Sequence, residues 1–167
     1  RGQRDRLTDW GLSLGLAGYT EQESSNGDVI PKTALQYIEN HDHERFVCNF
    51  GLTNPDEAGN PLFLEGDRSR WFMVQPYLIA TVMSKGIPML WQGEEFGENY
   101  YLPDFGAGRV ALPRALRWDL FYDQPGHGTV TLIRKLLRIR RNRTQIRNGA
   151  HFFFNDWDRY QSRGVLV

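Results

Sequence analysis

Two short stretches of this chain carry side chains suited to chemistry. Glu39-Asn40-His41-Asp42 follows directly on the strand-like run Ala34-Leu35-Gln36-Tyr37-Ile38, and a second run, Gly86-Ile87-Pro88-Met89-Leu90-Trp91-Gln92-Gly93-Glu94-Glu95, comes farther along. Each reads as a short, mostly apolar strand that stops abruptly in acidic and polar residues, which in an α/β barrel is where functional groups stand. Carboxylates beside an imidazole can grip hydroxyl groups or bind a metal ion. The metal reading starts from His41-Asp42-His43-Glu44, four potential ligands in a row. Neighbours on an extended chain point to opposite faces, so at most two of them could meet one ion. The metal-dependent phosphohydrolases with an HD pair need further His and Asp residues from separate helices, whereas His127 and His151 lie in an apparent loop and strand. No metal ligand is assigned.

The elements around these stretches follow from periodicity and caps. Arg4 to Leu16 reads as an amphipathic helix with Leu7, Trp10 and Leu14 on one side, broken by the loop from Glu21 to Asp28. The connection from Asn49 to Gly66, with Pro55, Gly59, Asn60 and Pro61, is long enough to suggest function. Asp67 is placed to cap a helix from Arg68 to Lys85 that turns Trp71, Phe72, Val74, Leu78, Thr81 and Val82 inward and ends at Gly86. Strand, helix and strand in this order form a right-handed crossover, so the strands ending at Glu39 and Gln92 should lie parallel and adjacent.

A second helix, from Thr129 to Arg143, should bury Leu132, Ile133, Leu136, Leu137 and Ile139. Its Arg134, Lys135, Arg138, Arg140, Arg141 and Arg143 then form a solvated face, a simpler reading than a nucleic-acid surface. Ala150–Phe154 and Gly164–Val167 read as two strands opening a β-domain.

Composition fits a piece of a globular protein: 167 residues, 40% apolar and 24% charged. The 20 basic and 20 acidic residues cancel, which argues against a nucleic-acid or anionic-membrane partner recruited by bulk charge. A neutral polymer needs no such field. The single cysteine, Cys48, excludes an internal disulfide. No apolar stretch approaches the roughly 18 to 20 residues that span a bilayer.

The two signature stretches resemble two segments of the α-amylase family of glycoside hydrolases and transglycosidases. In that family the seventh barrel strand ends in an Asn-His-Asp triplet, matched by Asn40, His41 and Asp42, and the eighth carries G-x-P-x-x-x-x-G-x-E, matched by Gly86, Pro88, Gly93 and Glu95. The resemblance implies an α/β fold in which residues 1–148 are the last part of a TIM (β/α)8 barrel, strands 7 and 8 with their helices, and residues 149–167 begin an antiparallel β-domain.

It also implies roles. Retaining glycosidases use two carboxyl groups about 5 to 5.5 Å apart as nucleophile and acid/base, and hydrogen bonds to the sugar 2-hydroxyl strengthen in the transition state. By the resemblance Asp42 is the third carboxylate, which grips the 2- and 3-hydroxyls and helps keep the neighbouring acid/base protonated. His41 donates to a hydroxyl of the same sugar. Asn40 serves the turn or the substrate, Trp91 and Tyr100 offer stacking faces, and Glu39 and Glu95 hold the loops. No cofactor is implied.

The family's nucleophile segment, G-x-R-x-D, and its acid/base Glu are not found; Gly2-Gln3-Arg4-Asp5 lacks the intervening residue. The expectation is therefore a part of an α-glucan-active enzyme whose partners are an α-glucan or malto-oligosaccharide and the remainder of the parent barrel, or another copy of itself. The isolated chain should be inactive. A non-catalytic carbohydrate-binding or scaffolding protein on the same barrel is the alternative, and a metal-dependent hydrolase ranks below it. Trp91 to Glu98 and Leu116-Arg117-Trp118-Asp119 look more like the branching and trehalohydrolase-type members, which are commonly cytoplasmic, so a cytoplasmic location is expected.

Overall fold

The computed structural model describes residues 22–23, 25–27, 29–30 and 35–148. The helix expected over Arg4–Leu16 and the strands expected over Ala150–Phe154 and Gly164–Val167 lie outside these residues, as does the whole 149–167 segment assigned to a β-domain. Within the described residues the strands are β1 (Gln22–Glu23), β2 (Val29–Ile30), β3 (Leu35–Gln36), β4 (Leu52–Thr53), β5 (Glu65–Gly66) and β6 (Ile87–Pro88). The α-helices are α1 (Gln75–Met83), α2 (Ala107–Val110), α3 (Gln124–Asn142) and α4 (Thr144–Asn148), with short 3-10 turns between them.

This corrects the expected fold. Every strand is two residues long, and the strands pair only as β1–β2, β3–β6 and β4–β5. No barrel closes among the described residues, which are mostly helical, so they do not form the last part of a TIM barrel. The ladder ends with the Met89 N–H donating to the Gln36 carbonyl at 2.9 Å, and beyond Gln36 the chain is drawn into a turn anchored by the Glu39 carboxylate, which accepts from the Phe46 N–H at 2.6 Å. The register partners Leu35 and Ile87 remain 58% and 55% exposed rather than entering a sheet core. What does hold from the strand-helix-strand reading is adjacency: β3 and β6 run parallel, Leu35 opposite Ile87 and Gln36 opposite Pro88.

The core lies against α3. Ile38, Phe46, Leu78 and Ile133 form one buried cluster, and Phe96, Leu120 and Val130 form a second. Val130 and Ile133 stand one turn apart on the same helix face, so α3 joins the two clusters. Asp67 caps the following turn as expected, accepting from the Ser69 N–H at 3.0 Å. That turn is 3-10 over Arg68–Met73 before α1 begins at Gln75, because Pro76 prefers the first turn of a helix and leaves no N–H for the preceding one.

Several inward assignments reverse. Phe72 is 58% exposed, and Leu137 and Ile139 also face solvent, while Arg140 is buried. The Arg140 guanidinium donates to the carbonyls of Val82 at 2.8 Å, Ser84 at 2.6 Å and Gly86 at 2.5 Å, satisfying the end of α1 that its own hydrogen bonds leave open. Arg68 does similar work between segments, donating to the carbonyls of Phe96, Gly97 and Leu120 and to Asp123 Oδ2 at 2.6 Å. Asp123 in turn caps α3 through the Gly126 N–H at 2.8 Å. Position 126 admits only glycine, since a Cβ there would stand 1.8 Å from the Leu120 carbonyl oxygen. No described helix is long and apolar enough to cross a membrane.

Candidate functional site

The loop after β3 is folded around one buried ion pair. Glu39 Oε1 accepts from Arg45 Nη1 at 2.7 Å, and Glu39 Oε2 accepts from the Phe46 backbone N–H at 2.6 Å. A second Arg45 nitrogen, Nη2, donates to the Gln92 carbonyl at 2.5 Å, which ties this loop to the turn after β6. The same guanidinium lies over the Tyr100 ring, 4.5 Å from its centroid. Arg45 and Glu39 are both buried, and breaking such a pair from one side costs about 3 to 5 kcal/mol. Arg45 is therefore the hub of the site, and nothing in the motif pattern singled it out. Its signal was position: it is the first base after an acidic run whose carboxylates need one.

Closing the loop at its base presents its tip to solvent. Asn40 Oδ1 accepts from the Asp42 N–H at 2.9 Å and the Asn40 carbonyl accepts from the His43 N–H at 3.3 Å, so Asn40 serves the turn. The side chains of His41 and Asp42 are 70% and 60% exposed, with His41 Nε2 3.5 Å from Asp42 Oδ2. The His41 ring is 5.8 Å from the Trp91 ring at a tilt of 48°. Trp91 Nε1 donates to the Tyr100 hydroxyl at 3.3 Å. Asp42, His41, Trp91 and Tyr100, expected together from sequence, thus meet on one surface.

The turn after β6 is equally constrained. Glu94 Oε2 accepts from the Trp91 N–H and Glu95 Oε2 from the Gly93 N–H, both at 2.9 Å, so Glu95 is an internal brace as expected. Gly93 has φ +88°, and a Cβ there would meet Glu98 and Leu116 at 2.8 Å. Burial raises the Glu39 carboxyl pKa even though Arg45 and the Phe46 N–H pull it down. Burial, followed by the Glu39 charge, raises Glu94 well above the ordinary value. Of the two, only Glu39 holds a guanidinium, so the shift of Glu94 is the less opposed.

Two further arginines close the surface. Arg109 Nη2 donates to the Asp42 carbonyl at 2.6 Å, and Arg109 Nη1 to the Pro103 carbonyl at 3.1 Å. Arg114 donates to the carbonyls of Gly108 at 2.7 Å and Arg109 at 3.3 Å, and stands 5.6 Å from the Tyr100 ring. A ring of contacts therefore runs Asp42, His41, Trp91, Tyr100, Arg114, Arg109 and back to Asp42. Neither arginine was singled out by sequence, because each acts across a loop with no periodicity.

His41, Asp42, His43 and Glu44 do not gather around one point: among the described residues no three His, Cys, Asp or Glu side chains come together to hold a metal ion. No family model matches this chain, and no match is found among the curated proteins or the solved structures.

Proposed function

We propose that this chain forms part of an α-glucan-active retaining glycoside hydrolase or transglycosidase of the α-amylase type. Asp42 supplies the transition-state-stabilising carboxylate and His41 a substrate hydrogen bond. The observation that carries the reading is the Asp42 turn. An exposed carboxylate with an imidazole 3.5 Å away sits on backbone held by Asn40 and Arg109, beside an indole.

Such a surface suits a sugar. The carboxylate accepts from two vicinal hydroxyls, the imidazole donates to or accepts from a third, and a flat indole covers a C–H face. Because the turn is anchored before substrate arrives, little reorganisation is needed as charge develops on the sugar. Asp42 breaks no bond itself. The nucleophile and the acid/base belong, in this reading, to the remainder of the parent enzyme, and the protein works in the cytoplasm like the branching and trehalohydrolase-type enzymes its motifs resemble.

The test is Asp42→Asn in the parent enzyme. Loss of an interaction made mainly in the transition state lowers kcat by several orders of magnitude and leaves KM within about tenfold. A variant that keeps more than about a tenth of wild-type kcat refutes the assignment.

A further inference from the structure

Charge is distributed unevenly along the chain. Residues 124–148, which contain α3 and α4, hold seven Arg and Lys side chains and no Asp or Glu, whereas residues 1–123 hold eleven and eighteen. Zero net charge therefore conceals an acidic stretch and a basic one. Arg140 is buried against the end of α1. The other six cations, Arg134, Lys135, Arg138, Arg141, Arg143 and Arg147, are exposed. Among the described residues none of the six pairs with a carboxylate.

Arg134, Arg138 and Arg141 follow one another at i, i+4 and i+7, so they stand in a row on one face of α3, turned away from the buried Thr129, Leu136 and Arg140. Like charges at these spacings destabilise the helix that carries them. A helix C-terminus attracts cations, but only within its last turn, which accounts for Arg141 and not for Arg134, Lys135 or Arg138. Burial and then the Arg147 charge lower the Arg140 pKa, so α4 brings a further cation to this end of α3 and no counter-charge. An anionic partner relieves the repulsion along the row.

A broad anionic surface is a poor match. A nucleic acid or an anionic bilayer also meets the surplus of carboxylates in residues 1–123. The row itself offers no apolar side chain to insert into a membrane, because Leu137 and Ile139 lie on either side of it. A narrow acidic segment avoids both difficulties. Side chains on one face of an extended peptide repeat every ~6.7 Å, close to the ~6 Å rise from Arg134 to Arg138 along α3, and guanidinium forks take carboxylates in bidentate pairs. We propose that the row Arg134, Arg138 and Arg141, with Lys135 beside it, docks an extended segment of a partner protein that carries Asp or Glu at alternate positions. The Asp42 reading is not needed for this docking surface and is untouched by its failure.

Fluorescence anisotropy of the full chain with a labelled peptide of about twelve residues alternating Glu and Ser, long enough to span the row, tests the proposal. Wild type is expected to bind this peptide, not its Gln-Ser counterpart, and to lose affinity as salt rises from about 0.05 M to about 0.5 M. The triple variant Arg134→Gln, Arg138→Gln and Arg141→Gln should bind at least about tenfold more weakly, and the corresponding triple Glu variant more weakly still. All three positions are exposed, so the variants should fold, which circular dichroism verifies; Arg114→Gln, away from α3, should bind as wild type does. No binding by wild type, or equal affinity in the triple Gln variant, overturns the proposal. Tighter binding of a single-stranded oligonucleotide of equal charge, or of vesicles containing anionic lipid, also overturns it and assigns the row to that partner instead.

Discussion

The guanidinium of Arg109 donates to the backbone carbonyl of Asp42 at 2.6 Å and lies 3.8 Å from its carboxylate. With the Asp42 carboxylate 60% exposed, an ion pair at that distance contributes at most about 1 kcal/mol to stability. The backbone contact is the stronger constraint, because it fixes where the turn places the carboxylate.

Arg109→Ala in the parent enzyme is therefore expected to lower kcat by about 10²-fold, the cost of a displacement on the order of 1 Å, with little change in melting temperature. Arg109→Lys should recover part of the rate, since an ammonium can reach the same carbonyl. Equal losses of rate and stability would mean that Arg109 only holds the fold.

Glu94 gives stability a pH dependence of defined sign. Its pKa is raised well above 4.5 in the folded chain, first by burial and then by the Glu39 charge. The folded state binds this proton more tightly than the unfolded state does. Its stabilising contribution is complete below about pH 4.5 and is lost as pH rises through the folded-state value. Glu94→Gln, which has no proton to lose, should show a smaller fall in melting temperature from about pH 5 to about pH 8 than wild type. Parallel curves for the two proteins would show that Glu94 does not titrate in this range.

Arg140 should prove structural. Its truncation to alanine leaves the Val82, Ser84 and Gly86 carbonyls without their donor, a loss of about 3 kcal/mol if two of them stay dry. In a domain of this size that lowers the melting temperature by roughly 6 to 12 °C. Arg138→Ala, on the exposed face of the same helix, should change it by less than about 2 °C; similar effects at both positions would contradict the buried assignment.

Cys48 should be silent in the native protein. Burial pushes its thiol pKa up to about 12, and its Sγ faces the carbonyls of Asn99 and Tyr100 at 3.7 Å. The thiolate is the reactive form, so a maleimide at neutral pH should label the folded chain only after denaturant is added. Prompt stoichiometric labelling without denaturant would show that the segment carrying Cys48 opens readily.

What the sequence determined by itself is local. The Asp67 cap, the burial of Leu78, Val82, Ile133 and Leu136, the brace at Glu95 and the meeting of His41, Asp42, Trp91 and Tyr100 follow from side chains acting within a few residues or from two apolar runs joined by a helix. Tertiary structure decided the rest. The expected barrel strands shrink to pairs such as Leu35–Gln36 with Ile87–Pro88 because strand length depends on neighbouring strands, which no local pattern specifies. Arg140 looked like part of a solvated face, yet it is buried because the end of α1 brings three open carbonyls to it. Arg45 and Arg109 became central for the same reason: a guanidinium goes where unsatisfied carbonyls and carboxylates converge, and only the folded chain determines that place.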